Sequence, residues 1–333
     1  MDRTTAEKEW LRRISGGKSA VPRRKPTSDQ TSDQSSSKPR PKPQPTAKKH
    51  GNGFGDIAGM EDLKQRVKEG FINVLQHRDL ADAYGIRPPS MLFYGPAGCG
   101  KTFFAEKMAE EVGIHFIKVV PDDLASTMVH GTQEKIGEVF KNAERHAPAL
   151  LFFDEFDAMV PRRTGNEYNQ HYDSEVNEFL CMLNHASDKG VYVLAATNHP
   201  ERIDKAVLRT GRIDELVYVD MPDHEARKSL FALELAKLPR EEGIDMDRLA
   251  HLTQGYNCSD INYIVKSAAR KKFNEAIGCG EHTLQNITQK QLEEIISGRS
   301  PSVSSRDLRE YQRVHREFSP KDRDGQPASI GFR

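Results

Sequence analysis

The stretch Gly95-Pro96-Ala97-Gly98-Cys99-Gly100-Lys101-Thr102 satisfies the spacing G-x-x-x-x-G-K-[ST]. It follows the apolar run Met91-Leu92-Phe93-Tyr94 and opens a helix-like segment from Phe103 to Val112. A strand, a glycine loop and a helix in that order make a phosphate cradle. The glycines let backbone N–H groups turn inward, and the helix N-terminus adds its positive dipole. Lys101 then addresses the β- and γ-phosphates of a nucleotide, and Thr102 offers its hydroxyl to Mg²⁺.

Around this loop the texture is that of alternating strands and helices. Strands are expected at Met91–Tyr94, His115–Val120, Ala149–Phe153, Val191–Ala196 and Leu216–Val219, with helix-period stretches between them. That pattern predicts an α/β fold with a parallel P-loop sheet. Past Asp223 the strand signals stop, and helix caps are expected at Asp223, Ser259, Thr288 and Ser304. The expected organisation is a nucleotide-binding domain over 51–222 and a small helical lid with a C-terminal helix over 223–318. Residues 319–333 are expected to form a flexible tail.

Residues 1–50 read differently. Thr4 to Ile14 can form one short amphipathic helix, and Ser15 to His50 is too rich in Ser, Pro, Lys and Gln to bury a core. This segment carries 13 basic and five acidic residues, against 36 and 44 in the remainder of a chain whose net charge is zero. Trp10, the only tryptophan, lies there, which suggests a docking peptide for an adaptor or a protease; an idle, solvated tail fits as well. No apolar run approaches the ~18 residues of a membrane span, so no membrane role is expected. The four cysteines form no C-x-x-C pair and read as reduced thiols of a cytoplasmic protein.

A second motif, Leu151-Phe152-Phe153-Asp154-Glu155, delivers two carboxylates to a strand end, where open α/β sheets bind ligands. Asp154 suits a hard cation, and Glu155 suits the orientation and deprotonation of an attacking water. Asn198, in Ala195-Ala196-Thr197-Asn198-His199-Pro200, ends another strand and can hold that water or sense the γ-phosphate. Finally, Leu208-Arg209-Thr210-Gly211-Arg212-Ile213-Asp214 places two arginines three apart beside a glycine. They do not easily reach a nucleotide on their own subunit's first strand and make sense pointing at a neighbour's.

In series, Phe54-Gly55-Asp56-Ile57-Ala58-Gly59, GPAGCGKT, FFDEFDAM, AATNHPERID and LRTGRID resemble the AAA branch of the AAA+ ATPases, over about Gly53 to Phe318. The resemblance implies a homo-hexameric ring that hydrolyses ATP with Mg²⁺ and threads a protein substrate through its pore. It implies that Asp56, Ile57 and Gly59 lie along the adenine, that Asn198 is the first sensor, and that Arg209 and Arg212 are fingers acting in trans. Gly255 to Asp260, with Cys258 and Ser259, resembles the lid motif over the nucleotide, with Cys258 where the family has Gly. Thr127-Met128-Val129-His130-Gly131 stands at the pore loop, with Met128 and Val129 as the substrate-gripping pair in place of the usual aromatic. Two other classes stay open. A nucleic-acid-directed ATPase has only the basic tail in its favour, and a nucleotide-gated scaffold has the full set of hydrolytic residues against it.

Overall fold

The computed structural model describes residues 51–124, 131–162, 179–209, 211–278 and 284–318. The basic tail, the Met128–Val129 pair, Thr210 and the last fifteen residues lie outside them. Before the sheet come α1 (Glu61–Val67), a π turn at Lys68–Ile72, and α2 (Arg78–Ala83). The sheet comprises β1 (Met91–Tyr94), β2 (His115–Val119), β3 (Ala149–Phe153), β4 (Val191–Thr197) and β5 (Glu215–Tyr218). All of its ladders are parallel, and the strand order is β2-β3-β4-β1-β5. Interleaved with the strands are α3 (Lys101–Val112), α4 (Pro121–Leu124), α5 (Gly131–Arg145) and α6 (Phe156–Met159). A parallel sheet covered on both faces needs near-continuous apolar strands, and β1, β3 and β4 are buried at every position.

The period of two divides these strands between two cores. Leu92, Leu151, Phe153, Val193 and Ala195 pack with Phe140 of α5 and with Phe179 on one face. Met91, Phe93, Leu150, Phe152, Leu194 and Ala196 pack with Phe104 and Met108 of α3 on the other. Four strand ends differ from expectation by a residue: β2 ends at Val119, β4 runs on to Thr197, and β5 both starts and ends one residue early. Val120 leaves β2 because its N–H donates to the Asp123 carboxylate (2.9 Å), which begins α4. β5 starts one residue early because Glu215 pairs with Met91.

After β5 the chain is helical: α7 (His224–Leu235), α8 (Met246–Leu252), α9 (Cys258–Gly278), α10 (Gln289–Ser297) and α11 (Ser305–Phe318). Phe231, Leu249, Ile261, Ile264, Val265 and Leu292 form their separate core. The joint to the sheet is pinned by Arg227, whose buried guanidinium donates to Pro222 O (2.9 Å) and to Ala250 O (3.0 and 3.1 Å) at the end of α8. Asp223, Thr288 and Ser304 cap α7, α10 and α11 as expected. Ser259 does not cap α9. The helix starts a residue earlier, and Asn257 caps it, its Oδ1 accepting from Asp260 N at 2.8 Å.

Asp260 is the polar knot of this helical part. Its carboxylate accepts from Arg299 (2.7 Å), from Ser302 N (3.1 Å) and from Ser302 Oγ (2.9 Å), with 1% of the side chain exposed. Burial alone pushes this carboxyl up. Arg299, Ser302 and the Asn257 N–H outweigh it and hold the group below the ordinary carboxylate value of 3.8. A lowered folded pKa contributes stability that is complete above the unfolded value and is lost as pH falls through the folded one. Asp260→Ala is therefore expected to destabilise the protein by about 2–4 kcal/mol at pH 7. The difference between wild type and variant should shrink only below about pH 4. Chemical denaturation of both proteins between pH 7 and pH 3 measures this; a pH-independent difference would assign the loss to packing instead.

Candidate nucleotide site

The glycine loop leaves β1 at the carboxyl end of the sheet. Gly95 (φ 143°), Gly98 (φ 76°) and Gly100 (φ 88°) hold backbone conformations that L side chains resist, so the loop can close tightly. Gly100 is the cap residue of α3 and has no side chain to satisfy the first turn. Those N–H groups therefore stand ready for an anion.

Four sequence-singled residues converge beside the loop. Lys101 Nζ donates to Gly95 O (2.9 Å), Pro96 O (2.8 Å) and Asn198 Oδ1 (2.6 Å). Burial pulls its ammonium down to about 8, with Asp154 among the groups that offset the pull. Thr102 Oγ1 donates to Asp154 Oδ2 at 3.1 Å. That hydroxyl–carboxylate pair is the donor set a hard divalent cation takes, so the residues present fit Mg²⁺. Glu155 is exposed at the end of β3, and its N–H donates to Asp154 Oδ1 (3.1 Å). Its φ of 52° is left-handed for a residue with a side chain, a strained conformation of the kind that gathers at functional sites.

The preceding segment packs on α3 and α7, and the helical part closes on the glycine loop. Asp56 pairs with Lys107 of α3 (2.9 Å), which, with Asn52, holds its carboxyl below the usual range. Ile57 is buried, and Gly59 is so close to α7 that an added Cβ would stand 2.6 Å from the Ala226 Cβ. Asn257 Nδ2 donates to Ala97 O (3.0 Å) and to Ser302 Oγ (2.9 Å), and Ser259 N donates to Gly98 O (3.1 Å). Burial pushes the Cys258 thiol up to about 11 and that of Cys99 to about 12, so both are protonated at neutral pH. α11 reaches the loop as well. Burial pushes the Tyr311 phenol up, against a backbone hydrogen bond from Ala97. His315 stacks on Tyr218 at 4.1 Å and hydrogen-bonds the Tyr94 hydroxyl at 2.9 Å.

Arg209 and Arg212 are not part of this cluster. Asp214 fixes their turn: its carboxylate accepts from Gly211 N (2.9 Å) and Ser90 N (3.1 Å), and its own N–H donates to Ser90 O (2.9 Å). Ser90 precedes β1 and the glycine loop follows it, so four residues of strand, about 13 Å, separate the arginines from the phosphate cradle. Arg209 is exposed, and Arg212 donates to Ala206 O at 2.7 Å.

Sequence reasoning missed Lys118, whose Nζ lies 2.8 Å from Asp154 Oδ2, because a lysine in a strand carries no motif. It missed the Thr197–Asp157 hydrogen bond (2.5 Å), although both residues sit inside quoted motifs. Asn257 was legible as a capping box, since Asp260 follows it by three.

The sequence profile of the family described as ATPase family associated with various cellular activities (AAA) matches residues 91–221. The chain is 33% identical over 273 residues to the cell division cycle protein 48 homolog of Archaeoglobus fulgidus, across 79% of this chain and 37% of that protein. It is also 33% identical over 241 residues to a putative cell division cycle ATPase of Plasmodium falciparum, across 72% of this chain and 19% of that protein. The chain thus spans well under half the length of either relative.

An alanine at Gly98 meets both its left-handed φ and Asn257, whose Nδ2 would stand 2.4 Å from the new Cβ; at Gly100 there is open space. Gly100→Ala is expected to cost about 1–2 kcal/mol of stability without nucleotide, and Gly98→Ala about twice that. Urea denaturation of both variants checks this. Equal losses would mean that Asn257 yields without cost.

Proposed function

The chain belongs to the AAA family of ATPases, and from that premise we propose that it binds ATP with Mg²⁺ at the glycine loop and hydrolyses it. The observation that carries the reading is the convergence of Lys101, Thr102, Asp154 and Asn198 at one strand-end crevice. In this reading 51–222 is the nucleotide-binding domain and 223–318 the lid. The N–H groups of Gly95 to Gly100 cradle the phosphates, and Lys101 exchanges its loop carbonyls for phosphate oxygens. Asp56, Ile57, Gly59, Cys258 and Ser259 enclose the adenine. Thr102 and Asp154 would hold a Mg²⁺ ion, Asp154 through water, and that ion would supply neutralisation of the phosphate charge. Glu155 takes the proton of the attacking water, and Asn198 orients that water.

Among the described residues, no arginine joins Lys101, Thr102, Asp154 and Asn198 in this pocket to meet the charge that develops on the γ-phosphate. Arg209 and Arg212 lie across the length of β1 from it. We therefore propose a homo-hexameric ring in which each turn of two arginines serves the neighbour's pocket, with turnover pulling a protein substrate past Met128 and Val129. The tail over 1–50 then recruits an adaptor or a protease, and the assembly works in the cytoplasm. Among the described residues no helix is long and apolar enough to cross a membrane.

Glu155→Gln is expected to keep ATP binding and lose turnover by about 10²–10⁴-fold. Arg212→Ala should bind ATP normally and lose about 10³-fold or more in turnover, as removal of a trans finger does. Mixing the two inactive variants should restore activity at interfaces where an intact finger meets an intact pocket. Steady-state phosphate release across a series of mixing ratios reads this out. A mixture that stays as inactive as its components, though it co-assembles, would remove the trans assignment.

A further inference from the structure

Lys118 is the one residue of β2 whose side chain ends on the candidate metal seat. It interrupts the strand His115-Phe116-Ile117-Lys118-Val119, and its Nζ lies 2.8 Å from Asp154 Oδ2. The same oxygen accepts from Thr102 Oγ1 at 3.1 Å, while Oδ1 accepts from Glu155 N. A carboxylate oxygen offers two lone-pair directions, so Oδ2 is fully engaged. Thr102 can coordinate a cation through its oxygen and still donate its proton to Asp154. A lysine ammonium has no such second face, because all its polar contacts are donations. It is also a positive charge standing where a second positive charge is to arrive.

We infer that Lys118 is a positioning residue acting as the resident counter-ion of the metal seat: it neutralises Asp154 while the seat is empty and competes for Oδ2 with the water through which Asp154 holds the divalent cation. The inference rests on the nucleotide reading above. Lys118 thereby holds the Asp154 side chain in place between turnovers and limits how tightly the metal–nucleotide product is retained. The side chain is 42% exposed, so water and salt screen the competition and its size is modest.

The test uses the full chain loaded with ADP, Mn²⁺ as the paramagnetic probe of the seat, and disappearance of the free-ion EPR signal as the readout. Lys118→Met is expected to bind Mn²⁺ roughly three- to tenfold more tightly than wild type at low salt. The gap should narrow as ionic strength rises, which loss of a merely structural contact would not produce. Lys118→Arg, which keeps the charge, should stay within about twofold of wild type. Equal or weaker Mn²⁺ binding by Lys118→Met, with ADP bound normally, overturns the counter-ion role alone and leaves an ordinary surface pair. Failure of wild type to bind a fluorescent ADP analogue overturns the nucleotide reading, and this inference falls with it.

Discussion

Turning a peptide loop so that its N–H groups face an anion forces its carbonyl oxygens the other way, and each of those needs a donor. Here the donors come from unrelated parts of the chain. Lys101 takes the oxygens of Gly95 and Pro96, Asn257 takes that of Ala97, and Ser259 takes that of Gly98. The first is local, five and six residues away. The other two cross about 160 residues and tie the start of α9 to the loop. The phosphate cradle is therefore held open by the same bonds that dock the helical part on the sheet.

That tie extends outward through a continuous set of polar contacts. Asn257 also bonds Ser302, Ser302 bonds Asp260, and Asp260 holds Arg299, all at 2.7–2.9 Å. Immediately beyond lies α11, which returns to the loop through Tyr311 and to the sheet through His315. Burial lowers the His315 pKa and lifts the Tyr94 phenol to about 12, so the Tyr94–His315–Tyr218 contact is made between neutral rings at physiological pH. An arrangement of neutral rings packs without the desolvation cost of a charge. It leaves the helix answerable to packing, and so to the position of the loop beneath it.

The fold was legible because its signals are local. Apolar runs of four to six residues gave every strand to within a residue, and the helix-period stretches between them already implied a parallel sheet. Of the site, the residues that lie in sequence with the loop or at strand ends were legible for the same reason. Lys118 was not, since only the lateral pairing of β2 with β3 brings it beside Asp154, and pairing order is a tertiary fact. The cap of α9 was misassigned to Ser259 because serine is a common cap residue. Asn257, two residues earlier, already had its partner three positions on, and Ser259 was engaged by the loop.

The strand order sets one further limit on the chemistry. β1 sits between β4 and β5, so the glycine loop, Asn198 and the end of β5 share one rim, while the chain between β4 and β5 must travel back to the opposite rim before β5 begins. Parallel pairing makes that return obligatory. The Arg209–Arg212 turn occurs on this return, and Asp214 clamps it to Ser90 at the far end of β1. No rotamer of either arginine changes which rim the backbone occupies. The backbone of this turn therefore stands on the rim opposite the glycine loop of its own chain, and the parallel sheet alone is enough to put it there.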